Sequence, residues 1–357
     1  MHILLNPGPV NVSPRVRAAL GRPDICHREP EYFDVQDAVR AQLPIVFGAP
    51  PSEYTSVLLT GSGTAMVEAM IASAVPQGGR LLVVRNGVYG QRIGQMAAAH
   101  AVACDTLAAP LVERPDPGAV DRALARTRYD ALAIVHHETT TGLLNDLAPI
   151  AAVARARRVR LLVDAVSSLG GERFDCPSWA PDAVACTANK CVQGLPGISF
   201  ALVRREFMET MRAYPERSVY LHLPRHHLDQ ERRSTPFTPA VQIACALQAA
   251  VEELREETVA ARIARYARAA AIVREGLEAL GLTLLLPPTL RSNTLTTIKL
   301  PFGVAYSTLH DALKREGFVI YAGQGAFADV CFRVANMGHV EEADFRRFVD
   351  AVGACVG

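Results

Sequence analysis

The stretch Val159-Arg160-Leu161-Leu162-Val163-Asp164-Ala165 is apolar almost throughout and ends on a carboxylate. A short apolar run without polar alternation predicts a strand buried on both faces, as in parallel sheets flanked by helices. Similar runs stand at Val57–Thr60, Leu81–Arg85, Leu132–His137, Ala183–Thr187 and Ile198–Val203. Amphipathic stretches at Ala65–Val75, Gln91–His100 and Leu147–Arg157 separate several of them, and helical spacing also marks Pro14–Leu20 and Val35–Phe47. Strands alternating with helices predict βαβ units, hence an α/β domain with a mostly parallel sheet.

The pattern changes after about residue 255. Thr258–Leu280 reads as one long helix, followed by strands at Thr294–Leu300, Phe318–Tyr321 and Val330–Val334 and helices at Ser307–Glu316 and Glu341–Val352. This predicts a smaller α+β unit. Between the halves, Tyr214–Pro239 is rich in Pro, His and Arg, lacks clear periodicity and reads as a functional loop. The expected organisation is an arm over 1–15, a large domain over 16–255 and a small C-terminal domain over 256–357.

Half of the 357 residues are hydrophobic and the net charge is +1, so nothing recommends nucleic acid or an anionic membrane as a partner. No apolar stretch approaches the roughly 18 residues of a membrane span. The N-terminus lacks the basic and apolar regions of a secretory signal. The eight cysteines show no paired spacing and read as reduced thiols of a cytoplasmic protein.

Only three lysines occur among 37 basic residues: Lys190, Lys299 and Lys314. Lys190 follows the strand-like Ala183–Thr187 and precedes a Gly/Pro loop, Gln193-Gly194-Leu195-Pro196-Gly197. A primary amine, unlike a guanidinium, can lose its proton and condense with an aldehyde. Gly61-Ser62-Gly63-Thr64, between a strand and a helix, offers backbone N–H groups, hydroxyls and a helix N-terminus to a phosphate, or is simply a tight turn. Asp164, at a strand end, faces the crevice where α/β sheets bind ligands, or else caps a following helix. A phosphate turn, then an aspartate at a strand end, then a lysine one strand later is the order that pyridoxal 5′-phosphate (PLP) requires. Thr139-Thr140-Thr141-Gly142 and Tyr89 follow strands and are candidates to touch and to cover its ring. Arg333, inside the apolar Cys331-Phe332-Arg333-Val334, needs a counter-charge: a substrate anion held by the guanidinium fork, or an internal ion pair. His136-His137-Glu138 does not suggest a metal, because neighbours on a strand point to opposite faces.

Taken together these residues resemble the class V, fold-type I PLP-dependent aminotransferases, and within them the 2-aminoethylphosphonate:pyruvate transaminase family. The resemblance runs nearly end to end. It is carried by Leu5-Asn6-Pro7-Gly8-Pro9, Val57–Thr64, Asn86-Gly87-Val88-Tyr89-Gly90, Glu138-Thr139-Thr140-Thr141-Gly142, Val163–Ser168, Ala188-Asn189-Lys190-Cys191-Val192-Gln193-Gly194-Leu195-Pro196-Gly197, Gly317–Gly323 and Cys331–Gly338. It implies a seven-stranded large-domain sheet and a homodimer with shared active sites. It implies that Lys190 carries PLP, Asp164 pairs with the pyridine nitrogen and Thr139 contacts the ring hydroxyl. By the same resemblance Ser62, Gly63, Thr64 and Asn189 hold the phosphate, Tyr89 covers the ring, and Thr238 reaches the neighbour's cofactor phosphate. Arg333 takes the substrate anion, with Arg28 a second candidate. The expected substrates are a small amino donor and a keto acid. Cys26–Pro30 and Ser218–His227 vary from the family pattern and bear on the donor. Two other reactions of the same fold stay open: alanine– or serine–glyoxylate transamination, and cysteine desulfuration. The latter usually places His where Asn189 precedes the lysine.

Overall fold

The computed structural model describes residues 2–356. Its central sheet has seven strands, in the spatial order Tyr54–Thr60, Ile198–Arg204, Ala183–Thr187, Arg160–Asp164, Ala131–Val135, Arg80–Arg85, Ala103–Ala108. Ile198–Arg204 runs antiparallel to both neighbours; the other pairings are parallel. Leu161 and Val163 join the core under helices Pro30–Val46, Leu147–Arg157 and Val241–Glu257, whereas Leu162 joins the core under Gly63–Ser73 and Val88–Ala99. Burial on both faces is why the strand's sequence shows no alternation.

A three-stranded antiparallel sheet follows, in the order Leu295–Lys299, Cys331–Ala335, Tyr321–Ala322. Phe332 and Val334 point into its own core with Phe318, Phe345, Phe348 and, from the N-terminal arm, Leu5. Arg333, between them in sequence, therefore lies on the opposite face. The expected strand Phe318–Tyr321 divides in two. Phe318–Val319 pairs in parallel with Ile3–Leu4 of the arm, and Tyr321–Ala322 pairs with Cys331–Ala335.

Several boundaries differ from the sequence expectation for physical reasons. Helix Gly63–Ser73 starts two residues early because the Ser62 side chain caps it. Helix Val88–Ala99 starts three residues early because a distant carboxylate, Glu138, accepts from the N–H groups of Tyr89 and Gly90. Tyr214–Pro239 is not wholly loop: Leu223–Glu231 is helical. The polar residues that hide its periodicity are used inward, where Gln230 donates to Leu58 O and accepts from Leu58 N on the edge strand of the large sheet. The edge strand Ala103–Ala108 and helices Pro117–Arg126, Cys176–Trp179, Arg205–Met211 and Val241–Glu257 are among the elements not expected from pattern. No helix among the described residues is long and apolar enough to cross a membrane.

Candidate active site

The chemistry-bearing residues gather at the C-terminal ends of the parallel strands and in the loops beyond them. Asp164 ends its strand, is buried, and accepts from Val166 N at 3.0 Å. It caps no helix; the next one, Cys176–Trp179, has its own cap in Asp175. Burial pushes the Asp164 carboxyl above its ordinary range, while the Val166 N–H, Lys190 and Arg92 act to lower it. Lys190, in the turn after Ala183–Thr187, is 9% exposed, and its Nζ donates to Ser167 Oγ at 2.8 Å. The Nζ also lies 6.0 Å from the centroid of the Tyr89 ring. On the other side the N-terminal arm closes in. A Cβ at Gly8, where φ is +100°, would lie 3.1 Å from Lys190 Cγ.

Ser62-Gly63-Thr64 opens the 11-residue helix Gly63–Ser73. Ser62 Oγ accepts from Ala65 N, and the N–H groups of Gly63 and Thr64 have no partner among the described residues. A Cβ at Gly63 would stand 2.8 Å from Val166 Cγ1 and 3.3 Å from Thr187 Cβ, so only glycine lets this turn approach the Asp164 loop. Asn189 is tied to the same corner, accepting from Thr187 Oγ1 at 2.8 Å. Gly63, Thr64, Tyr89, Arg92 and Asp164 line one cleft. Arg92 stacks on Tyr89, its Cζ 4.8 Å from the ring centroid.

Glu138-Thr139-Thr140 lies opposite. Glu138 is fully buried, and burial raises its carboxyl above the ordinary range. It accepts from Thr140 N and Oγ1 and from the N–H groups that begin the Tyr89 helix. A Cβ at Gly87 would lie 2.1 Å from Glu138 Cδ, so glycine is required there by close approach. Thr139 Oγ1 is buried without any hydrogen-bond partner, an orphan that an arriving polar group would satisfy.

Arg333 is 6% exposed and has no ion pair among the described residues. Its Nε donates to Ala322 O at 2.8 Å, and its Nη1 donates to Thr139 O at 2.8 Å and to Gln324 Oε1 at 3.0 Å. Burial lowers its pKa, with Tyr89, Tyr306, Tyr321 and Glu138 acting in the other direction. The internal ion pair weighed from sequence is not found among the described residues, and the Thr139 carbonyl links this arginine directly to the large-sheet site.

His136 and His137 diverge as their alternation requires. His136 Nδ1 meets Ser168 Oγ, and its ring packs edge-on against Phe174 and Trp179; His137 Nδ1 meets Ser167 O. No metal-binding cluster occurs among the described residues. Thr238 is exposed, on the loop that lines a cleft with Thr60, Tyr220 and Phe237. Arg28 is exposed and makes no hydrogen bond or ion pair among the described residues. Neither joins Lys190 within one chain. Sequence reading missed Ser167, Glu138, Arg92 and Gln324 as parts of the site. Ser167 and Glu138 stood in the quoted Val163–Ser168 and Glu138–Gly142 strings, so their signal was present; Arg92 and Gln324 are brought in by tertiary packing alone.

A sheet that gathers an aspartate, a lysine and a phosphate-type turn at its strand ends, joined to a smaller antiparallel sheet bearing a buried arginine, is a fold-type I aminotransferase architecture. The chain belongs to the aminotransferase class-V family, whose model matches residues 17–346. It is 37% identical to a 2-aminoethylphosphonate–pyruvate transaminase of Syntrophobacter fumaroxidans, over 98% of this chain and 95% of that one. It is 35% identical to one of Bacteroides fragilis, over 98% of each. Among solved structures, an alanine–glyoxylate aminotransferase of Nostoc superposes with a TM-score of 0.94 at 27% identity, covering 100% of this chain and 95% of that one. A subgroup IV aspartate aminotransferase of Thermus thermophilus gives 0.90 at 28%, covering 99% of each.

Proposed function

We propose that this protein transfers the amino group of 2-aminoethylphosphonate to pyruvate, giving phosphonoacetaldehyde and alanine, with PLP as its cofactor. The observation that carries the reading is the buried Lys190 Nζ, 2.8 Å from Ser167 Oγ, one strand after a buried Asp164 and facing the Tyr89 ring. The substrate assignment draws on relatives of that name, 35–37% identical over nearly the whole chain.

The residues present fit the cofactor. The orphan Thr139 Oγ1 suits its ring hydroxyl, and Asp164 suits its pyridine nitrogen. The free N–H groups of Gly63 and Thr64, with Ser62 and Asn189, suit its phosphate. Tyr89 covers the ring, and Lys190 holds the cofactor. When bound, PLP supplies a ring that withdraws electrons from the carbon bearing the amine. Released from the cofactor when the donor's amine takes its place, Lys190 Nζ would take the proton from that carbon and return it to the cofactor carbon that keeps the nitrogen, while Ser167 keeps the lysine amine oriented. Arg333 binds the phosphonate of the donor and then the carboxylate of the keto acid. The exposed Thr238 completes a neighbour's phosphate site in a homodimer, and Arg28 lines the entrance. The arm 1–15, the large domain 16–255 and the small domain 256–357 are the units of this reading, and a cytoplasmic setting suits its substrates.

The test is alanine formation from pyruvate and 2-aminoethylphosphonate by the purified, PLP-loaded protein. Lys190→Ala is expected to abolish it; steady-state turnover in that variant contradicts the assignment. The likeness to alanine–glyoxylate aminotransferase supports a second reading with carboxylate donors only, and that reading predicts alanine or serine, not the phosphonate, as the preferred donor.

A further inference from the structure

A guanidinium carries five N–H donors on three nitrogens. In Arg333, Nε is committed to Ala322 O, and both hydrogens of Nη1 are taken by Thr139 O and Gln324 Oε1. Any fork that grips an anion with two nitrogens must use Nη2 together with Nε or Nη1. Both of those are already spent on the protein, so among the described residues only Nη2 is left free for a ligand. Half of a fork is a poor holder for a small acid, and a second donor has to come from beside it.

Gln324 stands there. Its amide orientation is dictated, because Arg333 has no acceptor and so the Gln324 oxygen must face it. The Nε2 group, with two donors, is thereby turned away from Arg333. Neither Gln324 Nε2 nor Arg333 Nη2 has a hydrogen-bond partner among the described residues, and neither is sealed from solvent. The loop holds this residue tightly. A Cβ at Gly323 would stand 1.8 Å from Phe327 O. At Gly325, φ is +59° and a Cβ would meet Val88 Cγ2 at 3.2 Å. Val88 precedes Tyr89, so the loop is braced against the helix that carries the aromatic wall of the cleft.

We propose that Gln324 is a substrate-binding residue: its Nε2 amide and Arg333 Nη2 together receive the anionic end, phosphonate or carboxylate, of each substrate. This rests on the reading that Arg333 binds that anion. The pocket wall then offers one positive charge and one neutral donor in place of a full guanidinium fork. A three-oxygen phosphonate spans both donors and keeps an oxygen for solvent or a third contact; a carboxylate uses both of its oxygens.

The experiment measures calorimetric binding of ethylphosphonate and propionate, which carry the anion but no amine, to PLP-loaded wild type, Gln324→Glu, Gln324→Ala and Arg333→Ala. Cofactor loading is checked by its absorption band. Gln324→Glu keeps an acceptor for Arg333 but replaces the donor with a negative charge, and is expected to weaken both probes roughly 10-fold or more. Gln324→Ala is expected to weaken them as well. Wild-type affinity in Gln324→Glu overturns the proposal even if Gln324→Ala binds poorly, because Gln324 would then only clamp the arginine. Loss in Arg333→Ala alone removes Gln324 and leaves the anion reading standing. Wild-type affinity in Arg333→Ala removes both.

Discussion

Arg262 and Arg333 are both buried, 2% and 6% exposed, yet their charges are met in opposite ways. Arg262, on the long helix Val259–Ala279, pairs with Glu257 through Nε and Nη2, each at 2.7 Å. Its Nη1 donates to the carbonyls of Cys191 and Val192, directly after Lys190. Arg333 hydrogen-bonds to carbonyls and an amide and pairs with no acid among the described residues. Burying a guanidinium beside an internal carboxylate makes a brace; burying one without leaves a charge that an incoming anion can neutralise. The two therefore differ in what their loss should do: one to stability, the other to substrate binding.

The largest effect is expected where neither arginine stands. Lys190→Ala should remove turnover while leaving the urea midpoint near wild type, a pattern that Arg333 should share in weaker form and Arg262 should not. Arg333→Ala should lower kcat/KM for 2-aminoethylphosphonate by about 100-fold or more, with a stability change smaller than that of Arg262→Ala. For Arg262→Ala, urea unfolding should show a loss of about 2–3 kcal/mol, because Glu257 keeps Arg265 but loses its buried partner. If the two arginine variants exchange these signatures, the distinction between brace and anion site is wrong.

A smaller effect concerns pH. Burial lowers His136 to about 3 and His137 to about 4, from an ordinary 6.5. The unfolded chain binds these protons as pH falls below about 6.5, and the folded chain does not. Their contribution to stability is thus fully present above 6.5 and is lost as pH falls towards the folded values. Each contributes a slope of about 1.4 kcal/mol per pH unit. His136→Phe, which suits the aromatic contact with Phe174 and Trp179, should flatten the slope between pH 6 and 5 by that amount. An unchanged slope would mean that His136 is protonated in the folded protein.

Much of this arrangement was legible in the chain. Leu161, Leu162 and Val163 could be read as a two-sided buried strand because both faces demand apolar side chains, and Asp164 at its end followed from that. Lys190 stood out because the chain otherwise uses arginine. The Glu138 cap on the Tyr89 helix was not legible, since the two segments lie about 50 residues apart and meet only through the sheet. Gln324 escaped for a related reason. Its meaning depends on which Arg333 hydrogens are already committed, and only the packed fold decides that. Leu223–Glu231 was obscured because His226, His227 and Gln230 are turned inward, Gln230 bonding to the strand edge and His226 to Tyr220 O.

The central claim is that Lys190, Asp164 and Arg333 form one transamination site for a phosphonate amine. Its most direct test follows the visible cofactor band of the PLP-loaded protein during separate additions of 2-aminoethylphosphonate, alanine and serine. 2-Aminoethylphosphonate is expected to remove the band fastest, and pyruvate then to restore it. A band that alanine or serine removes and 2-aminoethylphosphonate leaves untouched would contradict it.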